Sequence, residues 1–228
     1  DKIIFDPETR APYYNTARFL HPYWKGQLKA EMLGKDTVRL FGFLSPELPP
    51  VGSIFADKGP FRENRHHTAL ASGPSTKTRH YPGIVVHATR GLTIEQSVIH
   101  ASGAMALICE NSEEISLNGF DVRLREGSGR FISASADATH FVNCRGTIRF
   151  DGCLFENMLD DATNVHGTYL RVDSIRGGRL LTARFGHVQQ QGFDFARKGD
   201  TLRLIDRVSL RPQCTFVAEE ARPLGGEH

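Results

Sequence analysis

Along the middle of this chain, apolar and polar residues alternate in short runs. The segments "GLTIEQSVIH" (91–100), "EISLNGFDVRL" (114–124), "GTIRFDGCLFEN" (146–157), "LRVDSI" (170–175) and "DTLRLIDRV" (200–208) are rich in Val, Ile, Leu and Phe, and Gly, Asn or Asp breaks them apart. A two-residue period bounded by turn formers is the signature of β-strands. No twelve-residue segment keeps a clean helical period, so the pattern predicts an all-β chain.

Three runs align on one another. Leu92, Ile94, Ser97 and Ile99 match Ile115, Leu117, Phe120 and Val122, and these match Ile148, Phe150, Cys153 and Phe155. The first step is 23 residues and the second 33. Strands recurring with a period in the low twenties predict a parallel β-helix, whose coils cannot bury an apolar side singly and so stack. The ten extra residues of the second step fit a loop, "REGSGRFISA" (125–134), thrown out at one corner.

The alignment extends to the polar turns. "GAMALICE" (103–110) falls under "ADATHFVN" (136–143), and "DATH" (137–140) returns as "DATN" (161–164), about one coil later. Stacked strands lie roughly 4.8 Å apart, so Asp137 is expected beside Asp161, Thr139 beside Thr163 and His140 beside Asn164.

A second, longer repeat flanks the coils. "LKAEMLGKDTVRLFG" (28–42) resembles "LRVDSIRGGRLLTARFG" (170–186), and "GSIFADKG" (52–59) resembles "GFDFARKG" (192–199). Both copies read as antiparallel strands with tight turns at "GKD" and "RGG", predicting two small β-barrel or sandwich modules. The expected order is a segment leading into the coils (1–20), a first barrel module with a polar return linker (21–83), the coils (84–166), and a second barrel module with a tail (167–228).

Composition narrows the function classes. A net charge of +2 with scattered Lys and Arg offers no broad basic field for nucleic acid. No apolar run approaches the ~18 residues of a membrane-spanning helix. The chain opens on Asp1 without a signal-peptide pattern and reads as a mature or excised piece; the expected location, periplasmic or secreted, is not read from this terminus. The cysteines Cys109, Cys144, Cys153 and Cys214 form no C-x-x-C pair. The first three lie in apolar strand-like segments and read as buried free thiols.

The chemistry concentrates in "SADATHFVN" and "MLDDATNVHG". Converging carboxylates are what glycoside hydrolysis requires, one protonated to aid the leaving oxygen and one ionised. Crowded like charges supply that asymmetry. The competing reading of Asp137, Asp160 and Asp161 is an Asx ladder at a coil corner. His140 and His166 are open as sugar-hydroxyl donors, acids or metal ligands, although no His pair at metal-binding spacing accompanies them. With Asn164 they are candidate substrate-binding residues, as are Glu110 and Glu156, which otherwise read as a surface charge ladder. Trp24, in "HPYWKG" (21–26), offers a sugar-stacking face or simple packing. No phosphate-binding loop, dinucleotide fingerprint or nucleophile elbow is present.

Through "ASGAMALICENSEEISL", "ISASADATHFVNCRGTIRFDGCLFENMLDDATNVHGTYL" and "KGDTLRLID" the chain resembles glycoside hydrolase family 110, bacterial α-1,3-galactosidases acting on terminal α-galactosides such as the blood-group B determinant. The resemblance implies a right-handed parallel β-helix of the pectin-lyase-like kind with β-barrel modules, and an inverting mechanism without metal or other cofactor. It implies catalytic roles for Asp137, Asp160 and Asp161. Asp160 and Asp161 fall on the water-activating side, and Asp137 is the candidate acid. Otherwise Asp137 is a substrate-binding carboxylate. Its register beside Asp161 is too close for inversion, so either the acid pairs across to Asp160, or Glu156 or Glu110 is the acid. The implied partner is a glycan ending in α-galactose, with oligomeric state open. The rival readings are a non-catalytic galactoside-binding module, a truncated catalytic core lacking activity, and a polyuronate lyase or hydrolase, the last disfavoured by the acidic character of the cluster.

Overall fold

A computed structural model describes residues 2–14, 29–41, 47–57, 81–186, 190 and 192–224. Trp24 and residues 58–80, which include most of the return linker, lie outside the described residues. Among those described, the regular elements are all strands. They are β1 (Lys2–Phe5), β2 (Lys29–Gly34), β3 (Thr37–Phe41), β4 (Ile54–Asp57), β5 (Ile84–His87), β6 (Arg90–Ile99), β7 (Leu107–Glu110), β8 (Glu113–Val122), β9 (Thr139–Val142), β10 (Arg145–Asp151), β11 (Leu154–Phe155), β12 (Thr163–His166), β13 (Leu170–Arg176), β14 (Leu180–Phe185), β15 (Thr201–Ile205) and β16 (Pro212–Val217).

Residues 84–166 form stacked parallel coils with three columns of pairing. One sheet runs β12-β9-β7-β5, and in the second β8 is flanked by β6 on one side and by β10 and β11 on the other. A third column consists of the single bridges Ser102–Ala134 and Ala134–Met158. The expected register holds through the second sheet: Leu92 pairs with Ile115 and Ile115 with Ile148, while Ile99 pairs with Val122 and Val122 with Phe155. Thr139 pairs with Thr163 and His140 with Asn164, as the repeated "DAT" predicts.

One register differs from the sequence alignment. Leu107 pairs with Thr139, not His140, and Glu110 with Val142, not Asn143. The offset in this sheet is one residue shorter than in the next. The missing residue reappears at a bulge between Arg145 and Ile148, where Gly146 has φ +65°. Nine of the ten extra residues therefore belong to the corner loop, and the tenth is this bulge.

Each coil turns at repeated places where the backbone is left-handed. Ala88, Asn111 and Asn143 (φ +48°, +50° and +53°) occupy one corner of successive coils. Asn side chains tolerate this region, and here Asn143 Nδ2 donates to Asn111 Oδ1 at 2.7 Å. The core lies inside the coils, with Leu107, Cys109, Ile115, Leu117, Phe120, Val122, Ala138 and Phe141 fully buried. Of the cysteines expected to be buried, only Cys109 is fully so. Cys144 and Cys153 are half-buried just outside strands, their thiols reaching the Cys109 and Leu117 carbonyls, and all four cysteines are free.

The flanking segments are antiparallel. β2–β3 and β13–β14 are the hairpins expected at "GKD" and "RGG". β4 pairs with β1, but its repeat partner at 192–199 contains no strand, so this part of the long-range repeat does not carry the same structure. A closer structural repeat joins Asp6–Arg10 to Asp206–Leu210. In each, the Asp Oδ1 accepts the backbone N–H groups two and three residues on and the hydroxyl of Thr9 or Ser209. The fifth residue, Arg10 or Leu210, closes the turn at positive φ. The second module is bolted to the coils by Arg145, whose guanidinium forks onto both Asp200 oxygens at 2.7 Å, and by Asn143 Nδ2 donating to the Phe195 carbonyl.

Candidate active site

The turns entering β9 and β12 place the acidic residues. Ala138 N–H donates to the Asp161 carbonyl (2.9 Å) and Thr139 N–H to the Ala162 carbonyl (3.2 Å), so the turn before β12 stacks on the turn before β9. The Thr139 and Thr163 hydroxyls meet at 2.5 Å and lock the register. Strand alternation turns Leu107, Cys109 and Phe141 into the core. The other parity, Ile108, Glu110, His140, Asn164 and His166, therefore lies on the outer face.

Asp137, Asp160 and Asp161 converge there. One carboxylate oxygen from each lies within 4.8 Å of the other two, the one such acidic group among the described residues. Their surroundings differ. Asp137 is buried (3% exposed), beside a small apolar cluster of Ala104, Met105, Ile108 and Ala136, whereas Asp160 and Asp161 are exposed. Asp137 Oδ2 lies 2.5 Å from His140 Nδ1, three residues on. Asp161 stands in the same relation to Asn164, whose amide donates to Asp161 Oδ2 at 3.4 Å. The two rungs thus repeat one geometry, with an imidazole in the first and an amide in the second.

His140 reaches further. Its Nε2 lies 3.0 Å from His166 Nε2, the rings meeting edge to face with centroids 5.0 Å apart, and His166 Nδ1 lies 2.9 Å from the Gly167 carbonyl. The contact was legible in principle. One coil is 24 residues here, and two further residues return to the same face, which makes His140 and His166 diagonal neighbours.

The remaining candidates lie outside the carboxylate group. Glu110 is buried on the same outer face, its Oε2 3.7 Å from His87 Nδ1. Glu156 is exposed at another corner, where its N–H donates to the Val122 carbonyl and its own carbonyl accepts the Ser133 hydroxyl. The three clustered aspartates are also the residues that would offer oxygens to a hard cation, although calcium takes six to eight such ligands.

Parallel coils, an acidic cluster on their outer face and an attached antiparallel module define a modular all-β protein with a carboxylate site. Known proteins are similar to it. Residues 180–227 match the family model described as GLAA-B beta-barrel domain II. The chain is 38% identical over 130 residues to alpha-1,3-galactosidase A of Shewanella woodyi, covering 57% of this chain and 21% of that protein. It is 38% identical over 143 residues to alpha-1,3-galactosidase B of Akkermansia muciniphila (63% and 18%) and 33% identical over 233 residues to alpha-1,3-galactosidase B of Phocaeicola vulgatus (96% and 36%). These similarities support the α-1,3-galactosidase family, glycoside hydrolase family 110, for this chain. It spans between about a fifth and a third of the length of these relatives.

Proposed function

We propose that this chain carries the catalytic carboxylates of an exo-acting α-1,3-galactosidase that removes terminal α-linked galactose with inversion. The observation that carries the reading is the convergence of three aspartates in two environments, one buried against an imidazole and two open to water. Asp137 is the proton donor to the leaving oxygen. Asp160 and Asp161 hold and activate the attacking water, and as that water's oxygen bonds to the sugar carbon its proton passes to one of them. The coils are proposed to wind as a right-handed parallel β-helix. The three parallel columns support this, because parallel crossovers within a sheet are overwhelmingly right-handed.

The test is anomer-resolved NMR of galactose released from a Gal-α-1,3-Gal disaccharide. Inversion gives β-galactose first. The compact cluster favours a second reading, because nearest oxygens within 4.8 Å are closer than the ~6.5–9.5 Å usual between inverting carboxyl groups and nearer the ~5–5.5 Å of retaining pairs. Initial α-galactose would establish that reading. Galactoside binding that is unchanged by Asp161→Asn, with no turnover, would identify a binding module instead.

A further inference from the structure

Asp137, His140, His166 and the Gly167 carbonyl form an unbroken line of three polar contacts at 2.5, 3.0 and 2.9 Å. Both ends accept only. A backbone carbonyl has no proton to give, and an ionised carboxylate has none either. Three hydrogen bonds between two accepting ends need three protons, but two neutral imidazoles carry only two. The line is therefore complete only when it holds one more, either on Asp137 or as a second N–H on one ring. The direction at the far end is fixed: His166 Nδ1–H donates to the Gly167 carbonyl, so in the neutral ring His166 Nε2 accepts from His140 Nε2–H. His140 Nδ1 is then left facing Asp137, with the third proton between them.

We infer that His140 and His166 are positioning residues that keep Asp137 loaded with the proton it delivers to the leaving oxygen. The inference rests on the reading of Asp137 as the donor. The neighbouring rung supplies the contrast. Asn164 donates an amide N–H to Asp161 and can carry no proton to it, so the same place in the next coil holds a carboxylate served as a base. One His-for-Asn difference between stacked "DATH" and "DATN" thus divides two equivalent aspartates into acid and base.

The balance over a turnover is simple. Asp137 gives its proton to the glycosidic oxygen as the bond from that oxygen to the sugar carbon breaks. The water proton taken on the Asp160 and Asp161 side returns to solvent, and solvent restores the third proton to the line. The groups around the line are Asp160 and Asp161 from the turn before β12, Asn164 on β12, and on β7 Ile108, opposite His140, and Glu110, which lies in the His166 column and is held by His87.

Two measurements on this chain test the proposal. In the first, ring-nitrogen NMR reads the protons directly. The expected result is His166 protonated at Nδ1, with a nitrogen–nitrogen coupling between the two Nε2 atoms. A proton on His166 Nε2 with Nδ1 free, or no coupling, overturns the line whether or not the chain is active. The second is the pH profile of kcat/KM. In His166→Phe the ring shape stays but no acceptor faces His140 Nε2, so the one remaining contact, His140 with Asp137, needs one proton, which neutral His140 supplies from Nδ1. The alkaline limb then falls about one pH unit lower, the scale of one lost hydrogen bond, while the acidic limb stays. His166→Gln, whose amide oxygen accepts from His140 Nε2, restores the profile. An unmoved alkaline limb in a folded His166→Phe variant overturns the proposal. Absence of galactose release from the unmodified chain removes the functional reading alone, and the nitrogen spectra still decide the line.

Discussion

Arg145 grips Asp200 across the seam between the coils and the second module, with both guanidinium nitrogens at 2.7 Å from the two carboxylate oxygens. The Arg145 guanidinium, helped by the Arg197 N–H, holds the Asp200 carboxyl below the ordinary carboxylate value near 3.8. A lowered folded value means that the stabilisation is present above about that pH and is lost as pH falls through the folded value. Arg145→Ala and Asp200→Asn are each expected to lower the unfolding midpoint. A double-mutant cycle is expected to return a coupling of about 1–2 kcal/mol at pH 7 that disappears in strong acid.

Asp160→Asn and Asp161→Asn are expected to lower kcat by about a hundred- to ten-thousand-fold, the usual range for a missing acid or base. Both side chains are exposed, so thermal midpoints stay within about 0.5 kcal/mol equivalent of the unmodified chain. Hydrolysis and calorimetry on the same preparations check the separation of the two effects.

Gly146→Ala strains the bulge that re-registers β10 on β8. Its φ of +65° disfavours a side chain, and a Cβ there collides with the Glu114 carboxylate, which also accepts the Thr147 N–H at 3.3 Å. The expected cost is about 1–3 kcal/mol by chemical denaturation. Gly167→Ala, where a Cβ meets open space at ordinary φ, is the neutral control.

Cys109 and Cys214 are expected to differ in reactivity. Burial, reinforced by the neighbouring Cys144 and Glu110, pushes the Cys109 thiol up to about 12, so almost no thiolate forms at neutral pH. A small thiol reagent is expected to label exposed Cys214 in the native chain and Cys109 only on unfolding, read by mass spectrometry after proteolysis.

The coil stack was legible because its signal is redundant. Leu92, Ile115 and Ile148 recur at positions that bury the same side of successive coils, so three copies vote on one register. The "DAT" repeat carried the same information to Asp137 and Asp161. The slip at "GAMALICE" was not legible, because an insertion can be divided between loop and bulge without changing the apolar pattern. The register shift between Arg145 and Ile148, with the positive φ at Gly146, shows where the extra residue went. The turn shared by Asp6 and Asp206 escaped notice because it depends on one Asp and one hydroxyl three residues later, and the strands around it share composition rather than sequence. Clustering of the aspartates followed from register. The environment that separates them did not, since the burial of Asp137 and the exposure of Asp161 arise from how the coils pack around two turns of the same sequence pattern.

The corner loop at 125–134 leaves the stack after β8, and the chain rejoins it at Ala134, which bridges to Ser102 and Met158 in the adjoining coils. Asn157 closes the rejoining end by donating to the Arg10 and Phe131 carbonyls. Ser133 and Ala134 belong to the stack, so the part open to grafting is the exposed tip at 125–130. Its length can therefore vary without altering the register that sets Asp137 beside Asp161.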